Sequence, residues 1–475
     1  MHNTKPEASP SLTDGVAGNT LPAALVAVQY TASSIQEVMP ILDTAPTAQQ
    51  GIHLMAETAA AFTNAHTLQR AYQPHHAWLP MPPIQPAMTH WIHPHFYGYY
   101  PSGRSFPSIF GDALASALGG HGFSWSANPA QTELEMVVLD WFAKALGLPN
   151  EFLHSTKKKM GGGCFQPSES DAILVAMMAA RHAATQFLRE DRLDRSLSSV
   201  RKNRHADDLD VDCAALQKII AYTSREAHTC VEKAAKICLI QLRVLPTDNE
   251  HRLRGDALRK GKAKKGCVTR DLLRNGFRQA MEQDEHNGLM PCFVCATLGT
   301  QTTCAFDNLH EIAMECRRKT AVWLHVDATY AGNALICPEM RHLADGLDRA
   351  NSINVSADKW LPVNFDCACL WVRDYFQLVE AFSTHPLQTQ QERDNRVLDF
   401  RHWGLPRERR FRALKLWFTF RKFGIAALQD RIRNHCSLAK QFEDLLRGDG
   451  RFRVMDSAKL QQYGSFMQQQ LLPSF

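Results

Sequence analysis

Two residues define the chemistry open to this chain. Lys359 closes Ser352-Ile353-Asn354-Val355-Ser356-Ala357-Asp358-Lys359, a short apolar strand pattern that runs into a small-residue turn. Asp327 closes an earlier apolar run, Val322-Trp323-Leu324-His325-Val326-Asp327. An aspartate and a lysine at the ends of successive strands are the two anchors that a pyridoxal phosphate (PLP) enzyme needs. The amine can form a Schiff base with the cofactor aldehyde. The carboxylate can keep the pyridine nitrogen protonated, so that the ring accepts electrons.

The rest of the chain must position this pair. Apolar runs at Ile219–Thr223, Ile240–Leu245, Pro291–Leu298, Ala321–Val326, Ile353–Val355 and Cys367–Val372 read as strands. Helical spacing marks Ser105–His121, Val231–Cys238, Leu309–Lys319 and Phe411–Leu428. A further helix begins at Thr132, where Thr132-Glu133-Leu134-Glu135 approaches a capping box, and stops at Gly147 and Pro149. Strands alternating with helices predict an α/β fold with a mostly parallel, doubly wound sheet. Such sheets bind ligands beyond the carboxyl ends of their strands. His228 follows one such end and gains interest only in the company of Asp327 and Lys359, since a lone histidine is usually structural or on the surface.

Gly161-Gly162-Gly163, followed by Ser168 and Ser170, leads into the apolar helix Ala172–Ala184. A glycine-rich turn that opens a helix can cradle phosphate with backbone N–H groups. The same turn also serves simply to pack a helix on a strand, and the Gly-Lys-Ser/Thr ending of a nucleotide-binding loop is missing. Trp91 to Ser102 is dense in aromatics and ends in Pro-Ser-Gly, as a loop lining a pocket would.

Composition narrows the classes. The 475 residues are 45% hydrophobic and 21% charged, with a net charge of +5, as in an ordinary soluble protein. No apolar run is long enough to span a membrane, and the polar start predicts no secretory signal, so a cytoplasmic location is expected. Thirteen scattered cysteines do not suggest a disulfide framework. The one C-x-x-C, Cys292 to Cys295, could hold zinc. In a strand, however, the two thiols point to opposite faces, and we read them as buried strand cysteines with no metal. Arg252–Lys265 is strongly basic, but without interleaved aromatics it reads as an exposed loop rather than a nucleic-acid surface.

Several long motifs, in order from about Thr89 to Arg453, resemble the group II PLP-dependent amino-acid decarboxylases, nearest to aromatic-L-amino-acid decarboxylase. They are His93-Pro94 to Pro101, Gly122-Phe123-Ser124-Trp125, Thr132-Glu133-Leu134-Glu135, Gly161–Gly163, Ala296-Thr297-Leu298-Gly299-Thr300, His325-Val326-Asp327-Ala328, Asp358-Lys359-Trp360 and Phe400-Arg401-His402-Trp403. The resemblance implies a type I aminotransferase-like fold with a seven-stranded sheet and helices on both faces. It implies a homodimer with the active site at the subunit interface, and decarboxylation of an aromatic L-amino acid to the amine. In it Lys359 carries the Schiff base, Asp327 partners the pyridinium and His228 stacks on the ring. Ser168, Ser170 and Ser356 lie where the family binds the cofactor. Trp91, Tyr99, Pro101, Ser102 and Phe123 match the substrate pocket. It also divides the chain into an N-terminal arm (1–88), a large PLP-binding domain (89–400, with a basic insertion at about 260–277) and a shortened C-terminal region (401–475).

The chain departs from that pattern at telling places. Asp358 replaces a histidine before the lysine, and Glu169 replaces a small residue in the phosphate turn. An acid so close to phosphate should repel it. Ser356, Gln301 and Thr329 replace Asn, Thr and Ala. The mobile loop that supplies a proton-donating tyrosine in the family, here about 384–398, contains no Tyr. The resemblance therefore also allows an aldehyde-forming or catalytically impaired homologue.

Overall fold

A computed structural model describes residues 103–156, 160–196, 213–255, 277–318, 322–383, 398–451 and 454. All belong to the second of two compact units, His90–Phe475. Trp91, Tyr99, Pro101, Ser102, the arm 1–88, nearly all of the basic insertion and nearly all of the 384–398 loop lie outside the described residues.

Seven strands form one sheet: β1 (Gly162–Gln166), β2 (Ile219–Ser224), β3 (Gln241–Leu245), β4 (Met290–Thr297), β5 (Trp323–Asp327), β6 (Ser352–Ser356) and β7 (Ala368–Val372). Their order is β1-β7-β6-β5-β4-β2-β3. β7 pairs antiparallel with both β1 and β6, and the remaining pairs are parallel. Six strands therefore run one way and β7 the other. The central strands are buried along their whole length, save Met290 at the start of β4, which is why they read as apolar runs.

The sheet is covered on both faces. α1 (Phe106–Leu118), α2 (Pro129–Leu146), α3 (Glu169–Ser196), α4 (Cys230–Cys238), α5 (Phe277–His286), α6 (Leu309–Arg317), α7 (Phe376–Phe382) and α8 (Ala413–Gly448) make up the longer helices. Leu370 and Val372 of β7 join the cluster formed by Ala172, Val175, Ala176 and Ala179 of α3. The residue between them, Trp371, meets Phe142 of α2 edge-on at 5.6 Å. This alternation follows from the period-two geometry of a strand. Cys292 and Cys295 are indeed fully buried in β4.

Three local expectations differ from the structure. The glycine-rich run is strand β1 rather than a turn. A Cβ on Gly162 would lie 2.3 Å from the His154 ring, and one on Gly163 would lie 2.6 Å from Trp371. Close packing demands these glycines, and their small side chains hid a strand. α2 is capped by Asn128, whose side chain accepts from the Gln131 N–H. Thr132 instead lies inside the first turn and donates back to the Asn128 carbonyl at 3.2 Å. Gly147 ends this helix with φ 72° as expected. Finally, α8 runs on to Gly448, past a break at Gly424 (φ 68°).

Candidate active site

Four neighbouring parallel strands end in oxygen-bearing side chains: Ser224 on β2, Thr297 on β4, Asp327 on β5 and Ser356 on β6. The side-chain oxygens of Ser224, Thr297 and Ser356 are buried without a hydrogen-bond partner. Orphaned buried hydroxyls are costly. Three along one row of strand ends mark a place built for polar groups from elsewhere.

Asp327 is the fixed point of this row. Its Oδ1 accepts from Thr329 Oγ1 (2.6 Å), the Thr329 N–H (3.1 Å) and Asn354 Nδ2 (3.2 Å). All three bonds end on one oxygen, which leaves Oδ2 for another donor. Asn354 also donates to Thr329 Oγ1 at 2.8 Å. Behind it stands His325, with Nε2 at 2.8 Å from Asn354 Oδ1 and Nδ1 at 2.7 Å from Ser352 Oγ. Trp323 Nε1 closes the chain on Ser352 Oγ at 2.7 Å. Burial pushes the His325 ring down to about 4, against the opposing charge of Asp327. A neutral imidazole there donates from one nitrogen and accepts at the other.

Lys359 follows β6 by one short turn. The backbone of that turn is pinned: Ser356 N–H donates to the Thr329 carbonyl (3.0 Å) and Ala357 N–H to that of Cys367 (3.0 Å). Gly103 N–H donates to the Asp358 carbonyl at 2.7 Å. Trp360 stacks on Tyr330 at 4.9 Å and donates to His435 of α8 at 3.0 Å. The lysine side chain is freer, 21% exposed, with Nζ 3.5 Å from Glu169 Oε1 and 3.9 Å from Asp358 Oδ2. Burial pushes the Asp358 carboxyl above the usual carboxylate range; Lys359 opposes this and Glu169 adds to it.

The Glu169 contact brings the first turn of α3 to the lysine. Ser168 caps this helix: its Oγ accepts the Asp171 N–H at 3.1 Å and donates to Asp171 Oδ2 at 2.7 Å. Ser170 is half-buried in the same turn. Burial first, then the charges of Asp327 and Glu169, push the Cys230 thiol up. His228 lies two residues before Cys230, exposed, with Nδ1 accepting the Cys230 N–H at 3.3 Å.

The structure thus gathers Lys359, Ser356, Asp327 and the Ser168–Ser170 turn, with His228 on the adjoining loop. The Phe123 ring lies under Arg401 (5.7 Å) and Arg407 (5.4 Å). Sequence reading missed the supports: Asn354, Ser352 and a role for His325. The signal was present, because Ser352, Asn354 and Ser356 are polar at every second position of an apolar strand.

The polar atoms of PLP suit the row of strand ends. Asp327 Oδ2 suits a ring N–H, the orphaned hydroxyls suit further donors and acceptors, and the α3 N-terminus suits an anion. The acids Glu169 and Asp358 are the part of the lining that does not suit one.

Comparison with known proteins points the same way. Residues 81–463 match the family described as "Pyridoxal-dependent decarboxylase conserved domain". The chain is 41% identical to histidine decarboxylase of Mus musculus over 371 residues, 78% of this chain and 51% of that protein. It is 42% identical to aromatic-L-amino-acid decarboxylase of Cavia porcellus over 373 residues, 78% of this chain and 70% of that protein. It therefore spans about half the length of the histidine decarboxylase. Among solved structures, Oryza sativa TDC with PLP and tryptamine aligns with a TM-score of 0.69 at 31% identity, covering 94% of this chain and 84% of that one.

Proposed function

The chain belongs to the pyridoxal-dependent decarboxylase family, and from that premise we propose that it converts an aromatic L-amino acid to the amine and CO₂ with PLP held at Lys359 and Asp327. Substrates of the DOPA, 5-hydroxytryptophan, tyrosine or histidine class fit this reading. The observation that carries it is Asp327, with Oδ1 saturated by three donors and Oδ2 left over.

PLP bound there would accept the electron pair left on Cα when CO₂ departs. The chain's own groups do the rest. Asp327 Oδ2 would face the pyridine nitrogen as acceptor, and Asn354 and Thr329 hold that carboxylate in place. Lys359 Nζ would supply the amine that holds the cofactor, Ser168, Ser170 and Ser356 would offer it hydroxyls, and His228 would contact its ring. Phe123 would line the substrate pocket, and the reading includes a homodimer, as the family resemblance implies. The expected location is the cytoplasm.

The absence of Tyr from 384–398 favours a second outcome at the same site, release of an aldehyde or slow turnover. The test incubates purified chain with PLP and each candidate amino acid, and quantifies CO₂, amine and aldehyde. Amine and CO₂ in equal amounts, lost in Lys359→Ala, are expected. Aldehyde in place of amine supports the second outcome. No cofactor absorbance and no CO₂ from any substrate overturns both.

A further inference from the structure

The contact between Lys359 and Glu169 has no part in that chemistry, and it joins two regions far apart in sequence. We propose that Glu169 is a built-in competitor of the cofactor's phosphate: its carboxylate occupies the anion position between the α3 N-terminus and Lys359, so this chain binds PLP more weakly than it would with a neutral residue at 169. The inference rests on the PLP reading of the site and concerns how fully that site fills.

Three observations carry it. First, α3 is 28 residues long and its first turn holds both Glu169 and Asp171. A helix N-terminus attracts anions, and here the chain supplies its own. Second, the two acids behave differently. Asp171 is tied down locally by the Ser168 hydroxyl at 2.7 Å. Glu169 instead reaches across to Lys359 Nζ at 3.5 Å, which an acid serving only the helix dipole has no reason to do. Third, the other acid by the lysine, Asp358, is 4% exposed and burial pushes its carboxyl toward the neutral form. That leaves Glu169, at 22% exposure, as the anion an incoming phosphate meets. A phosphate monoester brings about −1.5 to −2 charges at neutral pH. Seated on the Ser168–Ser170 turn, it would stand beside Glu169 and contend with it for the same helix end. The amine must also leave this carboxylate to bond to the cofactor aldehyde carbon, with loss of water.

The test titrates the full chain with PLP, with pyridoxal (which lacks the phosphate) and with inorganic phosphate. It compares wild type, Glu169→Gln, Glu169→Ala and Glu169→Asp, with cofactor-free melting curves to verify folding. Removing one charge within a few ångströms of an anion should tighten PLP binding about tenfold in Glu169→Gln and Glu169→Ala. Glu169→Asp keeps the charge and should stay near wild type. Pyridoxal should gain less than PLP, and phosphate should bind more tightly to Glu169→Gln than to wild type. PLP binding by wild type with no gain in either neutral variant overturns the competition and leaves the cofactor reading standing, as does an equal gain for PLP and pyridoxal. Tighter phosphate in Glu169→Gln, with PLP bound by no variant, upholds the competition and removes the cofactor reading.

Discussion

The two ends of the site follow different physical rules. At the end of β5, Asp327 belongs to a buried network in which Trp323, Ser352, His325, Asn354 and Thr329 are linked by bonds of 2.6–3.2 Å. At the start of α3, a half-buried lysine faces two acids at 3.5 and 3.9 Å. The first arrangement is a continuous network, rigid because each partner is fixed by the next, with Asp327 Oδ2 as its open end. The second is a looser, partly buried cluster whose ion-pair contacts, at 3.5 and 3.9 Å, are longer than the bonds of the network. A fixed carboxylate suits the task of holding one proton in one place. A loose cluster suits an amine that must exchange partners, and it tolerates substitutions that change how well an anion binds.

If the β5 end sets the chemistry, its variants should fail most severely. Asp327→Asn keeps the shape but cannot hold a proton on the ring as an anion. Its CO₂ release should fall on the order of 10²–10⁴-fold, the usual worth of a positioned proton, with the fold retained by circular dichroism. An equal loss in Glu169→Gln would erase the contrast between the two ends.

The network should also carry stability. Asn354→Ala leaves His325 Nε2, Thr329 and Asp327 each short of a partner in a buried place. A destabilisation of about 1–3 kcal/mol in denaturant unfolding is expected, together with weaker PLP binding. Glu169→Ala, at the half-exposed end, should change stability far less.

The network should also show a pH dependence. The folded-state value of His325 lies near 4, below the ordinary 6.5. Between those values the unfolded chain binds the extra proton and the folded chain does not. The contribution of His325 is thus present above about pH 6.5 and lost as the pH falls toward 4. His325→Gln should remove that loss, at most about 3 kcal/mol between pH 6.5 and 4. A slope unchanged in this variant would place the acid sensitivity elsewhere.

The sheet was legible because six of its strands are apolar runs that announce themselves. β1 was not, since Gly162 and Gly163 are there to let His154 and Trp371 approach, and a strand of small residues looks like a turn. The chemical pair Lys359 and Asp327 was legible because each sits where a strand pattern ends. Their supports were not, because Asn354 and His325 matter only through β5–β6 pairing, where Asp327 lies opposite Asn354. The meaning of Asp358 also changed. The sequence presents a charge beside the lysine, whereas burial makes that charge costly and shifts the electrostatic burden to Glu169.

The central claim is that Lys359 is the residue to which PLP becomes attached. Reduction of the PLP-treated chain with borohydride, followed by proteolysis and mass spectrometry, tests it directly. The account predicts a pyridoxyl phosphate label on the peptide carrying Lys359, in stoichiometric yield and absent from Lys359→Ala. A label spread over surface lysines, or one that persists in Lys359→Ala, would contradict it.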